Sequence, residues 1–150
     1  MSGSVTAFRR KVIIGEHLDI SVLESHRHLT EEGEPDFLVI VIDLFIRDST
    51  PALAALFCAL RKNDFDDIQR IAQRLKGNSV GLGAFRMYRL CGGLEVLAAW
   101  EEILPVRRSL NELISEYRIV RDILIENFLA AGSASPANQA KNSNVFFGII

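Results

Sequence analysis

Apolar residues recur at spacings of three and four along most of this 150-residue chain. No run alternates cleanly between apolar and polar residues, as a half-buried strand would, and neither Asn-Gly nor Asp-Gly occurs to mark a hairpin. The pattern therefore predicts an all-α protein. Short connections are expected to join its helices into an antiparallel four-helix bundle, with an additional short N-terminal helix.

Caps and prolines set the boundaries of the first predicted helices. A short first helix is predicted over about residues 19–29, with Asp19 as its N-cap. A long second helix follows, with Pro35 near its first helical position. At Pro51 this helix is expected either to kink or to restart behind a serine or threonine cap.

Three further helices complete the prediction. The third begins at Asp64, the fourth covers about residues 85–102 and the fifth about residues 107–131. The fourth contains Gly92-Gly93, and each glycine inside a helix costs about 1 kcal/mol relative to alanine. The pair is therefore expected to allow close backbone approach by a neighbouring helix.

Composition divides the chain into three parts. Residues 1–17 are predicted to be an N-terminal extension, residues 18–131 the bundle, and residues 132–150 a flexible tail. The basic cluster at residues 9–11 is expected to be a solvated end. The tail finishes with the apolar sequence NVFFGII, which is expected either to dock on the bundle or to engage a partner.

Charge and hydropathy narrow the function classes. The hydrophobic share of 49% is too high for a disordered chain, and 17 basic against 19 acidic side chains provide no basic surface typical of nucleic-acid binding. The longest apolar stretch, residues 37–46, is far short of the roughly 20 residues that span a bilayer. The N-terminus also lacks the residue order of a secretory signal. The sequence thus predicts a soluble, cytoplasmic protein that binds neither nucleic acid nor membrane.

No familiar catalytic or metal-binding pattern occurs. The one glycine-rich segment lacks the Lys-Ser/Thr of a phosphate-binding loop, and no nucleophile elbow is present. His26 and His28 lie two residues apart and point in different directions on a helix, so no metal and no cofactor are predicted. His17 is expected to be solvated, whereas Cys58 and Cys91 are expected to be buried and unreactive.

The predicted third helix has an unusual outward face. At about 100° per residue, one stripe of this helix is predicted to be buried. That stripe comprises Ile68, Ala72, Leu75, Ser79 and Leu82. Gln73 and Gly77 then point outward, bordered by Arg70, Lys76 and Val80. A merely solvated face has no need of a glycine, so this mixture suits a partner that approaches closely and carries negative charge.

Residues 73–84, QRLKGNSVGLGA, resemble the signature of histidine phosphotransfer (HPt) domains, His-x-Leu-Lys-Gly-Ser/Asn-Ser-x-x-Leu/Ile-Gly-Ala. Upstream, EPDF at residues 34–37 and Leu44-Phe45 followed by Asp48 also resemble the family. The resemblance covers about residues 18–128. It implies a four-helix bundle in which one exposed histidine exchanges a phosphoryl group with the aspartate of a response-regulator receiver domain.

The resemblance also assigns roles to individual residues. Lys76 would help to neutralise the phosphate, and Gly77 would leave room for the receiver. Gln73 occupies the position of the phospho-accepting histidine, and a carboxamide nitrogen is a very poor nucleophile because its lone pair is delocalised. No catalytic residue is therefore predicted. The predicted receiver-docking residues are Gln69, Arg70, Gln73, Arg74, Lys76, Gly77 and Val80.

Several functional hypotheses follow. The leading one is a phosphorelay protein that docks receiver domains, and also a hybrid sensor kinase, without carrying phosphate. It is either a natural homologue that lacks transfer activity or a laboratory His-to-Gln variant of an active protein. A second hypothesis is an enzyme that transfers phosphate through His26 or His28. A third is a helical adaptor that binds an unrelated protein through its N-terminal basic cluster or through residues 145–150.

Overall fold

A computed structural model describes residues 2–129 of the chain, and within that range all regular structure is helical. This confirms the predicted all-α class. The helices are α1 (Ser2–His17), α2 (Ile20–His28), α3 (Phe37–Arg61), α4 (Phe65–Gly81), α5 (Phe85–Ala99) and α6 (Ile103–Leu124), and α6 continues as a π-helical turn, Ile125–Leu129.

Helices α3 to α6 form the bundle. Each packs on the next along the chain, and α6 closes the ring against α3. Because short connections join consecutive members, neighbouring helices run antiparallel. Tyr117 lies fully buried at the α3–α6 contact, where its hydroxyl is 2.6 Å from the Thr50 hydroxyl. Burial raises the pKa of the Tyr117 phenol, so this group stays neutral inside the core.

Aspartates cap three of the helices. The side chains of Asp19, Asp36 and Asp64 each accept a hydrogen bond from a backbone N–H in the first turn of α2, α3 and α4. The predicted cap Asp19 is thereby confirmed, and Asp64, predicted as the start of the third helix, is the cap of α4. The prediction for Pro35 is wrong by two residues, since α3 begins at Phe37 and its cap is Asp36.

Helix α3 runs through Pro51 without interruption, so the predicted restart at this point does not occur. Proline removes the hydrogen bond to the carbonyl of Arg47, and both residues lie on the exposed side of α3. The neighbours Ser49, Ala52 and Leu53 are buried against the bundle. Packing on this side therefore holds the helix together across the missing bond.

The connection between α5 and α6 is shorter than predicted. Helix α5 ends at Ala99, and Glu101 has a positive φ of 56°, which breaks the helix before Glu102. Pro105 lies in the first turn of α6 rather than ahead of it. A proline fits there because the first N–H groups of a helix have no intrahelical partner.

The two glycines inside α5 do not serve close helix packing, contrary to the prediction. A Cβ added at Gly93 would meet no atom within 4 Å, and one added at Gly92 would lie 3.9 Å from the Cδ of Lys76, an ordinary contact distance. Gly92 therefore faces a lysine side chain of α4 and not the backbone of a neighbouring helix.

Helix α1 packs against α6 through Ile14 and His17. The Nδ1 of His17 is 2.7 Å from Oε1 of Glu116, and both residues are buried. The expectation that His17 is solvated is wrong, because α1 folds back onto a helix about a hundred positions further along the chain. Residues 130–150, including the predicted tail, lie outside the described residues. Within residues 2–129 no helix is long and apolar enough to cross a membrane.

Candidate functional site

Helix α4 has the buried stripe that its periodicity predicted. Its inward residues Ile68, Ala72, Leu75 and Ser79 are at most 1% exposed. The Ser79 hydroxyl donates a 2.8 Å hydrogen bond to the Leu75 carbonyl, which satisfies the one polar group of the stripe. The opposite side of α4 is consequently fixed toward solvent.

The seven predicted docking residues lie on or beside this outward side. Gln73, Gly77 and Val80 are exposed, and Val80 presents 58% of its surface to solvent. The remaining four are polar side chains that flank them, with Arg70 and Arg74 exposed and Gln69 and Lys76 half-buried. We call the surface formed by Gln69, Arg70, Gln73, Arg74, Lys76, Gly77 and Val80 the α4 face.

The cations of the α4 face are all paired with carboxylates. Arg70 bonds Asp67 within α4, with 3.0 Å between its Nε and Oδ1 of the aspartate. Arg74 reaches Asp48 of α3 at 3.4 Å. The positive bias predicted for this surface is thus offset by neighbouring acids, two of which come from other helices.

The third pair, Lys76 with Glu95 of α5, is shorter than the pair between Arg74 and Asp48. The ammonium Nζ lies 2.7 Å from Glu95 Oε2. Its hydrogen bond to Glu95 raises the pKa of Lys76 above its ordinary value. The Gln69 amide also donates to the Glu95 backbone carbonyl at 3.4 Å. Glu95 therefore joins two of the predicted residues to α5.

Gly77 opens onto a groove between α3 and α4. A Cβ placed on Gly77 or Gly81 would meet nothing within 4 Å. Beside them the two helices leave a groove of about 360 Å³. It is lined by Val41, Leu44, Phe45 and Asp48 on one side and by Gly77, Asn78, Gly81 and Leu82 on the other. Leu44 is 57% exposed at its rim, so the α4 face continues into an apolar concave surface.

Helix α2 braces the C-terminal end of α4. Gly83 has a φ of +66°, and a Cβ there would lie 2.9 Å from the Cβ of Asp19. The Gly83 carbonyl accepts a 2.8 Å hydrogen bond from the Asp19 N–H. The His26 Nε2 is 2.6 Å from the Gly81 carbonyl oxygen, to which it donates. Gly83 thus serves the packing of α2 on α4, and His26 has a structural partner.

The two cysteines differ in their exposure. Cys91 is buried as expected, and burial raises the pKa of its thiol to about 12, so little thiolate forms near neutral pH. Cys58 is exposed, which corrects the prediction that it is buried. It lies on the outer side of α3, which the sequence alone did not distinguish from the core side. No cluster of three or more potential metal ligands occurs in the described part of the chain.

Three residues beside the α4 face were not among the predicted docking residues. Asp48 and Glu95 approach α4 from other helices, and Leu44 forms the apolar rim of the groove. Together the features define a class of protein: a helical bundle that presents an exposed, charge-compensated face and an adjacent apolar groove.

The chain matches no protein-family model. It is 29% identical over 117 residues to pseudo histidine-containing phosphotransfer protein 2 of rice. This alignment covers 77% of this chain and 78% of the rice protein. It is 27% identical over 142 residues to histidine-containing phosphotransfer protein 1 of Arabidopsis thaliana, over 89% of this chain and 92% of that protein.

Solved structures that resemble this chain are also histidine-containing phosphotransfer proteins. Histidine-containing phosphotransfer protein B of Pseudomonas aeruginosa superposes with a TM-score of 0.68 at 29% identity, over 73% of this chain and 92% of that one. A histidine-containing phosphotransfer protein of Medicago truncatula reaches a TM-score of 0.72 over 90% of both chains; at 23% identity this match supports the fold. Relatives and structures together show that the chain is similar to histidine-containing phosphotransfer proteins, pseudo members included.

Proposed function

We propose that this protein docks receiver domains of a two-component phosphorelay through the α4 face and does not carry a phosphoryl group itself. The observation that carries the proposal is Gln73. It stands exposed where the HPt signature has its phospho-accepting histidine, one turn before the open notch at Gly77.

The chemistry of the glutamine side chain supports the loss of transfer. A phosphorylated histidine forms when a neutral imidazole nitrogen attacks an aspartyl phosphate, so that a P–N bond replaces the P–O bond. The amide nitrogen of Gln73 has no available lone pair for this attack and cannot exchange protons near neutral pH as imidazole does. It still donates and accepts hydrogen bonds from about the same place.

The shape and polarity of the surface support docking. Val80 and Leu44 expose apolar area on either side of Gly77, and the groove between α3 and α4 can receive side chains of a partner. A receiver domain, alone or as part of a hybrid sensor kinase, is the partner that the family resemblance assigns to this surface. The proposal places the protein in the cytoplasm as a competitor or adaptor.

The similarity to a rice protein named as a pseudo histidine-containing phosphotransfer protein favours a natural chain over a laboratory His-to-Gln variant. Transfer through His26 has little support, because its Nε2 bonds the Gly81 carbonyl and its ring lies 5.7 Å from that of Phe37. The nitrogen that donates this hydrogen bond has no lone pair free to attack phosphorus.

The test mixes the purified chain with receiver domains of the same organism and a phosphate source, either acetyl phosphate or an active kinase. We expect a complex with at least one receiver and no acid-labile phosphate on this chain. Acid-labile phosphate on the native protein would contradict the proposal that this chain does not carry a phosphoryl group. A failure to bind any receiver, checked at concentrations up to about 1 mM, would remove the docking claim.

A second candidate function rests on α1. Its outward residues Val5, Phe8 and Val12 are 56%, 69% and 48% exposed, opposite the side that packs on α6. An apolar stripe of this kind suits an adaptor that binds an unrelated protein. Replacing Phe8 with serine would lower the affinity for such a partner and leave receiver binding unchanged. The reverse result would assign the stripe to the receiver.

A further inference from the structure

We propose that Glu95 acts as an internal substitute for a phosphoryl group. Its carboxylate pairs with Lys76, so the lysine ammonium is not available to a phosphate on the α4 face. The inference rests on the proposed function and extends it. It names a second residue, besides Gln73, that adapts this surface to docking without phosphate.

The geometry singles out the Lys76–Glu95 pair. Its Nζ–Oε2 distance is 2.7 Å, and the two side chains are 30% and 27% exposed. The pair between Arg74 and Asp48 is longer, at 3.4 Å, and its side chains are 56% and 53% exposed. Exposed pairs exchange readily with solvent and contribute little, whereas a shorter and less exposed pair persists.

The backbone around Glu95 supports the same arrangement. Gly92 lies one turn before Glu95, and the Cδ of Lys76 passes 3.9 Å from where its Cβ would be. No side chain at Gly92 therefore lies in the path of the lysine stem, and a Cβ there would only reach ordinary contact with it. Gln69 also bonds the Glu95 carbonyl, which fixes α5 against α4 at this point.

A phosphoryl group at position 73 would need the same lysine. Residues three apart on a helix are neighbours, so Lys76 is the ammonium of α4 best placed to pair with an anion on residue 73. Glu95 already satisfies this charge from within the molecule. An incoming phosphate must therefore displace a carboxylate, and the two anions cannot share one ammonium without mutual repulsion.

The experiment introduces an acceptor and then removes the competing carboxylate. Gln73→His, Gln73→His/Glu95→Gln and Gln73→His/Glu112→Gln are each treated with potassium phosphoramidate, which needs no receiver. An imidazole nitrogen attacks phosphorus, the P–N bond of the reagent breaks, and ammonia leaves with a proton from the ring. Phosphorus NMR measures the rate of formation and the lifetime of the product. Glu112, an exposed glutamate of α6, provides the matched control.

We expect Glu95→Gln to raise the rate of phosphorylation or the lifetime of the product roughly threefold or more over Gln73→His alone, while Glu112→Gln changes neither. Circular dichroism and thermal unfolding check that all variants keep the fold. Equal values with and without Glu95, a lower value in its absence, or no phosphorylation of either variant would overturn the inference. Receiver binding by the native chain is measured separately, so a failure of the docking proposal remains distinguishable.

Discussion

The substitution Gly77→Arg separates binding from folding. Gly77 lies in the interior of α4, and a side chain there would meet no atom within 4 Å. The fold should therefore accept arginine. Replacing an exposed helical glycine with a good helix former gains about 1 kcal/mol, which corresponds to a rise of about 2–4 °C in Tm for a domain of this size.

The expected effect on binding is opposite in sign. Arginine at this position projects over the groove beside Gly77 and fills the space through which a partner would approach. We expect receiver affinity to fall at least tenfold, about 1.4 kcal/mol, measured by isothermal titration calorimetry. Thermal unfolding of the same samples supplies the stability.

Gly93→Arg is the matched control. Gly93 is also an exposed helical glycine with open space around it, and it lies about 100° round α5 from Gly92, which faces Lys76. This variant should gain similar stability and keep its affinity. Native affinity in Gly77→Arg, or an equal loss in both variants, would refute the assignment of the docking surface.

Three further predictions concern the framework. Gly83→Ala should destabilise the fold by about 1–3 kcal/mol in thermal unfolding, because Gly83 has a positive φ and a Cβ there would lie 2.9 Å from that of Asp19. Gly81→Ala, which has open space, should not destabilise it, and equal stability of the two variants would contradict this prediction. Glu116→Leu leaves the buried histidine of α1 without its partner and should speed amide exchange in α1, at a cost of about 1–3 kcal/mol; unchanged exchange would argue against the contact. Native protein at pH 8 should react with iodoacetamide at Cys58 and not at Cys91. Burial raises the pKa of the Cys91 thiol from 9.0 to about 12. The free energy of unfolding should therefore keep the full contribution of this buried thiol below pH 9 and lose it as the pH rises toward 12. A free energy of unfolding that is constant across this range would contradict the burial of Cys91.

Periodicity and capping were sufficient to predict helices α2 to α6, whereas the residues of α1 were predicted only as an N-terminal extension. The apolar stripe of α4 is strict, so the exposed positions of Gln73, Gly77 and Val80 followed from the spacing alone. Aspartates that precede such stripes indicated the starts of α2 and α4. These features are local, and local spacing is what a single sequence records directly.

The carboxylate partners of the cations on the α4 face could not be predicted from local spacing. Glu95 pairs with a residue 19 positions earlier and comes from another helix. Such contacts depend on how far two helices are rotated about their axes, which the spacing of apolar residues fixes only coarsely. The sequence therefore indicated a positive surface, where the structure has a compensated one.

The same reason explains the errors at α1 and α5. His17 is buried only because α1 folds back onto Glu116, a contact across 99 positions. The glycines of α5 suggested close packing, although the space beside Gly92 holds the side chain of Lys76. In each case a contact between distant parts of the chain determined the environment of the residue, which the local sequence does not record.

We propose that the α4 face binds a receiver domain while the chain carries no phosphate. Amide NMR of the native chain, titrated with a receiver in the presence of acetyl phosphate, measures both properties in one sample. We expect chemical-shift changes concentrated at residues 69–80 and along the facing part of α3, with no phosphorylated residue on this chain. Shifts confined to α1, or a phosphorylated side chain, would contradict it.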